Sequence, residues 1–561
     1  MTKLTYKDGI PQVTWKYYED EYYDLHLAHE VVEKWAKEKQ NEISFVSYNT
    51  GQEFTWKQFD NNSTALALKL IEMGIGKGDF VATSLPFFPE HIFLEYACFK
   101  IGAIIVPLDM RLKPNEVLRC VSLVKAKVYA HLGETDVADF GRVAEAVRDN
   151  QDFIQYFVQF SPPDACIEKS REETIISAWE FAKDAERLFK EVDEGKNAEL
   201  KAKYDELHKG VQETDGCMVI YTTGSTGYPK PALLSHQGIT SQNLCLALGF
   251  GMSEDDIMLV NLPPSHVGGQ TEQLMTPWYM GGKNIILDIF RPDESLDAIQ
   301  KYKITLFGQI PAMFNLQWRL PNYNTYDLSS LKFALYGGQS VSRPFLEKLS
   351  AMAPKFGTGL GLTELSGFCT YTPLDGTVDD ILAGVGHAMP ITPITIREPM
   401  KEDGTAGEEK AKGEIGEICF SGPQVFLEYI NDEEGLHFSG RSKLMIKPKG
   451  YNVFPTEVEN VIADAMKEKV ENVGVVGHEH EVFSEGIIAF VEKKKGKDIT
   501  VDEVNDVCKN MAAYKRPSHV VILEYNDMPL NRINKTDYVA LKSLAKQEIE
   551  KLRAAAGWDR N

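Results

Sequence analysis

The hydrophobic positions of this chain switch period several times along its first hundred residues. In FDNNSTALALKLIEMG, residues 59–74, apolar side chains recur at helical spacing until a glycine ends the run. DFVATSLP then forms a short apolar run closed by Pro86, which reads as a buried strand. HIFLEYACFKIGAIIVPLD repeats the order of helix, glycine and strand. This rhythm predicts a parallel or mixed sheet covered by helices, an α/β fold. Residues 163–213 are polar and charged at helical spacing, the pattern of a solvated helix pair on the surface. GCMVIYTT predicts a strand and SHQGITSQNLCLALGF a helix, and short strands and helices alternate again from about 255 to 425. KEDGTAGEEKAKGEIGE reads as an exposed turn.

Beyond Arg441 the pattern changes. TEVENVIADAMK, VDEVNDVCKNMA and DYVALKSLAKQEIEKL predict helices, and GIIAFVEKK and SHVVILE predict strands between them. A chain of 561 residues exceeds one ordinary core. The division expected is a large domain over 1–442 and a smaller α+β domain over 443–561.

Charge narrows the function classes. The net charge of −22 argues against a nucleic-acid or anionic-membrane surface, and any polyanionic ligand must be held by local donors. None of the eight cysteines is spaced as C-x-x-C or sits in a Cys/His cluster, which predicts reduced thiols in a cytoplasmic protein. MTKLTYKDGIPQ lacks the apolar core of a signal peptide, and no apolar run nears the roughly 20 residues that cross a bilayer.

The candidate chemistry begins at Tyr221-Thr-Thr-Gly-Ser-Thr-Gly-Tyr-Pro-Lys230, placed between a strand and a helix. Gly224 and Gly227 let backbone N–H groups turn towards an anion. Thr222, Thr223, Ser225 and Thr226 add hydroxyls, and Lys230 adds a charge; together they suit a triphosphate. The spacing is not that of the G-x-x-x-x-G-K-[ST] loop.

This segment resembles the phosphate loop of the adenylate-forming superfamily of acyl- and aryl-CoA synthetases, adenylation domains and luciferases. Other stretches resemble that family's motifs in the family's order: KIGAIIVPLDMRLKPNEV, Asn261-Leu-Pro-Pro-Ser-His-Val-Gly-Gly269, Leu335-Tyr-Gly-Gly-Gln-Ser340, Gly359-Leu-Gly-Leu-Thr-Glu364, Gly440-Arg-Ser-Lys-Leu-Met-Ile-Lys447, Gly450-Tyr-Asn-Val-Phe-Pro455 and Met528-Pro-Leu-Asn-Arg-Ile-Asn-Lys535. The resemblance implies a multi-lobed N-terminal domain of α/β layers with a small β-barrel-like lobe, and a mobile C-terminal lid. It implies ATP, Mg²⁺ and coenzyme A as cofactors. Thr363 would contact the α-phosphate and Glu364 would hold Mg²⁺. Gly338, Gln339, Ser340, Leu360 and Gly361 would line the nucleotide, and Arg441 its ribose or phosphate side. Lys535 would bridge carboxylate and phosphate during adenylation. Rotation about Lys443 would then exchange it for the segment bearing Lys447 and Gly450. His266, Gly268, Gly269 and Gln309 would face the acid. Taken alone, Glu364 and Arg441 read as surface charges, Lys535 as a solvated lysine and His266 as a structural histidine.

Three positions depart from the family. Leu360 replaces an aromatic residue that would stack on adenine. Asn534 replaces a glycine, a mild change because asparagine tolerates left-handed backbone angles. The third departure is the absence, between Tyr429 and Ile430, of the T-G-D segment whose aspartate binds the ribose; losing that contact costs a few kcal/mol of nucleotide binding.

The implied reaction activates a carboxylic acid to acyl-AMP with release of pyrophosphate, then transfers the acyl group to coenzyme A. The pocket motif carries no acid to pair with an ammonium group, which disfavours free amino acids. Gly268 and Gly269 leave space, and Phe307, Ile310 and Met313 suit an apolar tunnel. A medium- or long-chain fatty acid, or an aryl or alicyclic acid, fits. Loading of a carrier-protein thiol and a catalytically impaired nucleotide- or acyl-binding homologue stay open, as does a homo-oligomer.

Overall fold

A computed structural model describes residues 6–7, 10–11, 25–135, 138–160, 175–223, 229–373, 375–389, 391–401, 405–430, 445–451, 453–529, 536–555 and 557–559. The alternating pattern of the N-terminal region folds into two large sheets. The first has eight strands in the order Glu428–Tyr429, Pro229–Ser235, Gly216–Thr223, Ile104–Pro107, Phe80–Ser84, Val128–Leu132, Tyr156–Phe160 and Ile175–Ser177. From Gly216–Thr223 onward its neighbours are parallel, and the two strands at the other edge pair antiparallel. The second has seven strands in the order Lys355–Thr358, Phe333–Tyr336, Leu306–Gln309, Ile257–Val260, Lys283–Ile286, Ile43–Ser47 and Glu53–Thr55, antiparallel only at the last pair.

Two helices serve as the common interior. Pro89–Ile101 is buried at every residue but Glu90, and His236–Gly249 is buried at all but Gln237 and Leu248. Both helices bury polar side chains such as Glu95 and Asn243 along with apolar ones, so they are enclosed on every face. One core cluster contains residues of both helices together with Val81 and Ile105 of the first sheet and Phe45, Val260 and Leu306 of the second. Helix Trp56–Glu72 starts at a Thr55–Gln58 capping box, and the chain turns at Gly74 with φ +80°.

The charged stretch forms helices Ala178–Asp193 and Ala198–Lys209. The second has no buried residue; the first buries Phe181, Ala185 and Leu188. Between residues 361 and 420 the chain forms three two-stranded ladders. The C-terminal part has the expected helices Pro455–Ala465, Val501–Cys508 and Tyr538–Ala554 around a three-stranded sheet of Val470–His480, Ser484–Lys493 and His519–Leu523. The first of those strands has no counterpart in the sequence reading. The described cysteines are all free thiols, and among the described residues no helix is long and apolar enough to cross a membrane.

Candidate active site

The candidate phosphate loop joins the two strands of a β-hairpin. Gly216–Thr223 pairs antiparallel with Pro229–Ser235, with Thr222 opposite Lys230 and Thr223 opposite Pro229. The helix expected over SHQGITSQNLCLALGF is present as His236–Gly249, and the second strand of the hairpin separates it from the loop. The buried run Ala232–Leu234 explains the extra strand, since it fills the sheet before the chain can turn away. Gly224, Ser225, Thr226 and Gly227 lie outside the described residues. Tyr221 fixes the hairpin by donating its hydroxyl to the Cys120 carbonyl at 2.5 Å. Thr222 Oγ1 is buried without a hydrogen-bond partner among the described residues, which suits an incoming anion.

Tyr429 connects this hairpin to the second motif. Its backbone pairs with Ala232, its ring lies 5.1 Å beneath Lys230 Nζ, and its hydroxyl donates to Glu364 Oε1. Glu364 belongs to the 3₁₀ turn Thr363–Leu365 at the tip of a two-stranded ladder, and its carbonyl accepts the Phe426 N–H at 2.8 Å. Lys230 and Glu364 are thus joined through Tyr429, with Thr363 next to Glu364 in the same turn. Hydroxyl and carboxylate oxygens of this kind fit Mg²⁺. Leu360 is held by bonds from Cys369 N and to Thr370 Oγ1, both 2.8 Å, and Gly361 is exposed.

The loop that the motifs assign to the nucleotide follows strand Phe333–Tyr336. Gly338 adopts φ +93°, and Gln339 Oε1 is buried without a partner among the described residues. Lys447 reaches this loop from the C-terminal part, donating Nζ to the Gly338 carbonyl at 3.0 Å while its own N–H binds Glu485. Burial lowers the pKa of its ammonium. Gly450, at φ +83°, packs so closely that a Cβ there would lie 2.8 Å from Ile310 Cδ1. Beside it Arg111 is stacked 4.1 Å from the Tyr451 ring and 4.7 Å from that of Tyr514, and Asp109 holds its Nε at 2.8 Å. Lys515 adds ion pairs to Glu116 at 3.4 Å and Glu457 at 3.1 Å. These contacts hold Lys447 and Gly450 against the nucleotide loop. Arg441, Lys443 and Lys535 lie outside the described residues.

On the acid side, His266 Nδ1 accepts the Gly268 N–H at 3.0 Å, so the neutral ring carries its proton on Nε2. His266 is exposed, while the protein atoms gathered around its ring lower its pKa by desolvation. Residues Gly268–Met275 form a π-helix. Gly269 does not leave pocket space: a Cβ there would sit 2.3 Å from the Pro263 carbonyl oxygen. Gln309 is 3% exposed and bonded at both ends of its amide, to Asn261 and Gln317, so it braces the site from behind. Phe307 does not line a tunnel either; it is 1% exposed and packs edge-on against Phe314 in the core of the second sheet.

Two carboxyls escaped the sequence reading. Glu95 is fully buried, bonded to Gln270 Nε2 at 2.5 Å, and burial pushes its pKa up to about 8. Glu272, within the π-helix, is pushed up to about 7 by burial, the Phe368 N–H opposing the shift. The only signal was GGQTEQLM itself, an acid four residues past Gly268. A third cluster, His29, Glu33 and His208, has ligand atoms within 4.8 Å of one another. Its cation position is taken: the Lys100 ammonium lies 2.7 Å from both Glu33 and Asp60.

Comparison with known proteins gives the family. The family model described as AMP-binding enzyme matches residues 32–430, and that of the AMP-binding enzyme C-terminal domain matches 457–535. The first match ends at residue 430, beside the point where the sequence suggests that the T-G-D segment is absent. A putative acyl-CoA synthetase, YngI, of Bacillus subtilis is 25% identical over 532 residues, covering 87% of this chain and 91% of that protein. The 4-coumarate–CoA ligase CCL1 of Humulus lupulus is 24% identical over 521 residues, covering 86% and 87%. The solved amide bond synthetase McbA of Marinactinospora thermotolerans shares the fold with a TM-score of 0.71 at 20% identity, over 92% of this chain and 99% of that one.

Proposed function

The chain belongs to the AMP-binding enzyme family, and from that premise we propose that it is an AMP-forming acyl-CoA synthetase. A carboxylate attacks the α-phosphorus of ATP, giving acyl-AMP and pyrophosphate; the thiol of coenzyme A then attacks the acyl carbon and releases AMP. The supporting observation is the junction at Tyr429, which places Lys230 and Glu364 beside one another at the mouth of the phosphate hairpin.

Negative charge accumulates around the α-phosphorus during adenylation, and fixed donors that meet it lower the barrier. Lys230 and the hydroxyls of Thr222 and Thr363 are the described groups suited to this. Glu364 would hold Mg²⁺, which neutralises phosphate charge when bound. Lys535 is assigned the bridging role by its motif. The contact of Lys447 with Gly338 supports a second arrangement, in which Gly450 borders the route of a thiol and the phosphate groups have left. Single-domain gating of this kind separates two reactions in one cleft.

Acid-dependent exchange of pyrophosphate into ATP, followed by thioester formation with free coenzyme A, tests the reading. Absence of exchange across a broad panel of fatty, aryl and alicyclic acids would refute it. Exchange without thioester would leave adenylation standing and point to another acceptor, such as a carrier-protein thiol.

A further inference from the structure

The acid side of the cleft holds a carboxyl that no cation among the described residues pairs with. Glu272 sits midway along the π-helix, facing the ladder that carries Thr363 and Glu364. Its Oε1 lies 3.5 Å from where a Cβ on Gly361 would be and 2.9 Å from that position on Gly367. Its Oε2 lies 3.6 Å from the same position on Gly268. Three residues without side chains therefore lie around one carboxyl; Gly361 is exposed and Glu272 itself is half-buried, so the carboxyl is not sealed on that side.

Among the described residues no ion pair and no side-chain hydrogen bond reaches Glu272; the Phe368 N–H donates to it, and the side chains of Gln242 and His266 lie nearby, Gln242 Nε2 without a hydrogen-bond partner among the described residues. Enclosing a carboxyl without a cation or a set of donors is costly, and in a binding site a ligand's donor offsets that cost. On another side of the π-helix Gln270 and Glu95 bond one another, both fully buried, so the polar group left for a ligand is Glu272. Phe307, meanwhile, belongs to the core behind the cleft. This environment suits a compact, substituted acid better than a plain hydrocarbon chain.

We propose that Glu272 is a specificity residue that receives a hydrogen-bond donor, a hydroxyl or an amine, carried by the acid the site activates. The proposal rests on the acid-activating reading of the cleft and narrows it. A site built to bond a polar group rejects the analogue that lacks it far more strongly than an apolar pocket rejects an extra methylene. Discrimination by Glu272 therefore appears as a preference between matched acids.

The test is pyrophosphate exchange with sets of unsubstituted, hydroxylated and aminated aryl and short alkyl acids. The wild-type protein should favour a donor-bearing acid over its unsubstituted partner by about tenfold or more in kcat/KM, mostly through KM. Glu272→Leu should collapse that ratio towards one. Glu272→Gln separates the two donors, since the amide oxygen still accepts from a hydroxyl but no longer pairs with an ammonium. It also guards against misfolding of the leucine variant, with thermal melts run on both. A wild-type preference for unsubstituted acids, or a ratio unmoved in both variants, overturns this proposal and leaves adenylation intact. No exchange with any acid overturns both.

Discussion

Gly268 and Gly269 are adjacent in the chain, yet a methyl group on each meets different surroundings. On Gly269 it would lie 2.3 Å from the Pro263 carbonyl oxygen and 2.9 Å from that of Leu262. The first distance is about 1 Å short of an ordinary van der Waals contact. Both obstacles are backbone, so either the π-helix or the turn bearing His266 must move. Overpacking of this kind costs about 1–3 kcal/mol, and a rigid obstacle puts Gly269→Ala near the upper end. On Gly268 the methyl would meet Leu262 Cδ1 at 3.1 Å and His266 Nδ1 at 3.2 Å. Those are side-chain atoms that can yield, so Gly268→Ala should cost under about 1 kcal/mol while disturbing His266. Thermal melts monitored by circular dichroism, with acid KM values from pyrophosphate exchange, distinguish the two. Gly269→Ala should melt clearly lower; Gly268→Ala should melt near wild type with a raised KM. A wild-type melting temperature for Gly269→Ala would refute the contact argument.

Arg111→Ala removes a guanidinium stacked on two tyrosines, worth about 1–2 kcal/mol of docking; thioester formation from supplied acyl-AMP should fall about tenfold while pyrophosphate exchange is kept. Lys535→Ala should show the opposite split, losing exchange and sparing the thioester step. Glu95 makes stability depend on pH: with its folded pKa raised to about 8 from 4.5, the folded state holds the extra proton, so stability falls as pH rises from 4.5 through 8. Melting temperatures of Glu95→Gln measured across that range should lose this part of the slope, and an unchanged slope would contradict the burial argument. Glu364→Gln should raise the Mg²⁺ concentration needed for half-maximal exchange, read by titrating the metal at fixed ATP.

Much of the architecture was legible because hydrophobic period reports burial. The run DFVATSLP became strand Phe80–Ser84, and HIFLEYACFKI became helix Pro89–Ile101, both beside their expected glycine or proline. Strand Val470–His480 was not legible: its pattern is broken by Gly474 and Gly477, which lie against Leu541 and Ile446 from other elements. At the site, motifs indicated Thr363, Glu364 and Lys230 one by one. They could not indicate Tyr429, which joins the last two from a point far along the chain. Arg111 was likewise unreadable, because its stacking partners Tyr451 and Tyr514 are more than three hundred residues away. Gln309 and Phe307 were read towards the cleft because a strand's period does not say which of its faces is the core.

The π-helix Gly268–Met275 has an evolutionary consequence. Its i→i+5 bonding holds more residues per turn than an α-helix. In a homologue whose matching segment is a regular α-helix, side chains beyond the first turn point elsewhere, each displaced residue rotating the face by about 100°. Glu272 would then leave the opening at Gly361 although an alignment column still paired it with a counterpart. Substrate preference in such a lineage can change by insertion or deletion of one residue, without any substitution in the pocket. Specificity transferred column by column from α-helical homologues would assign the wrong side chain to this acid's contact.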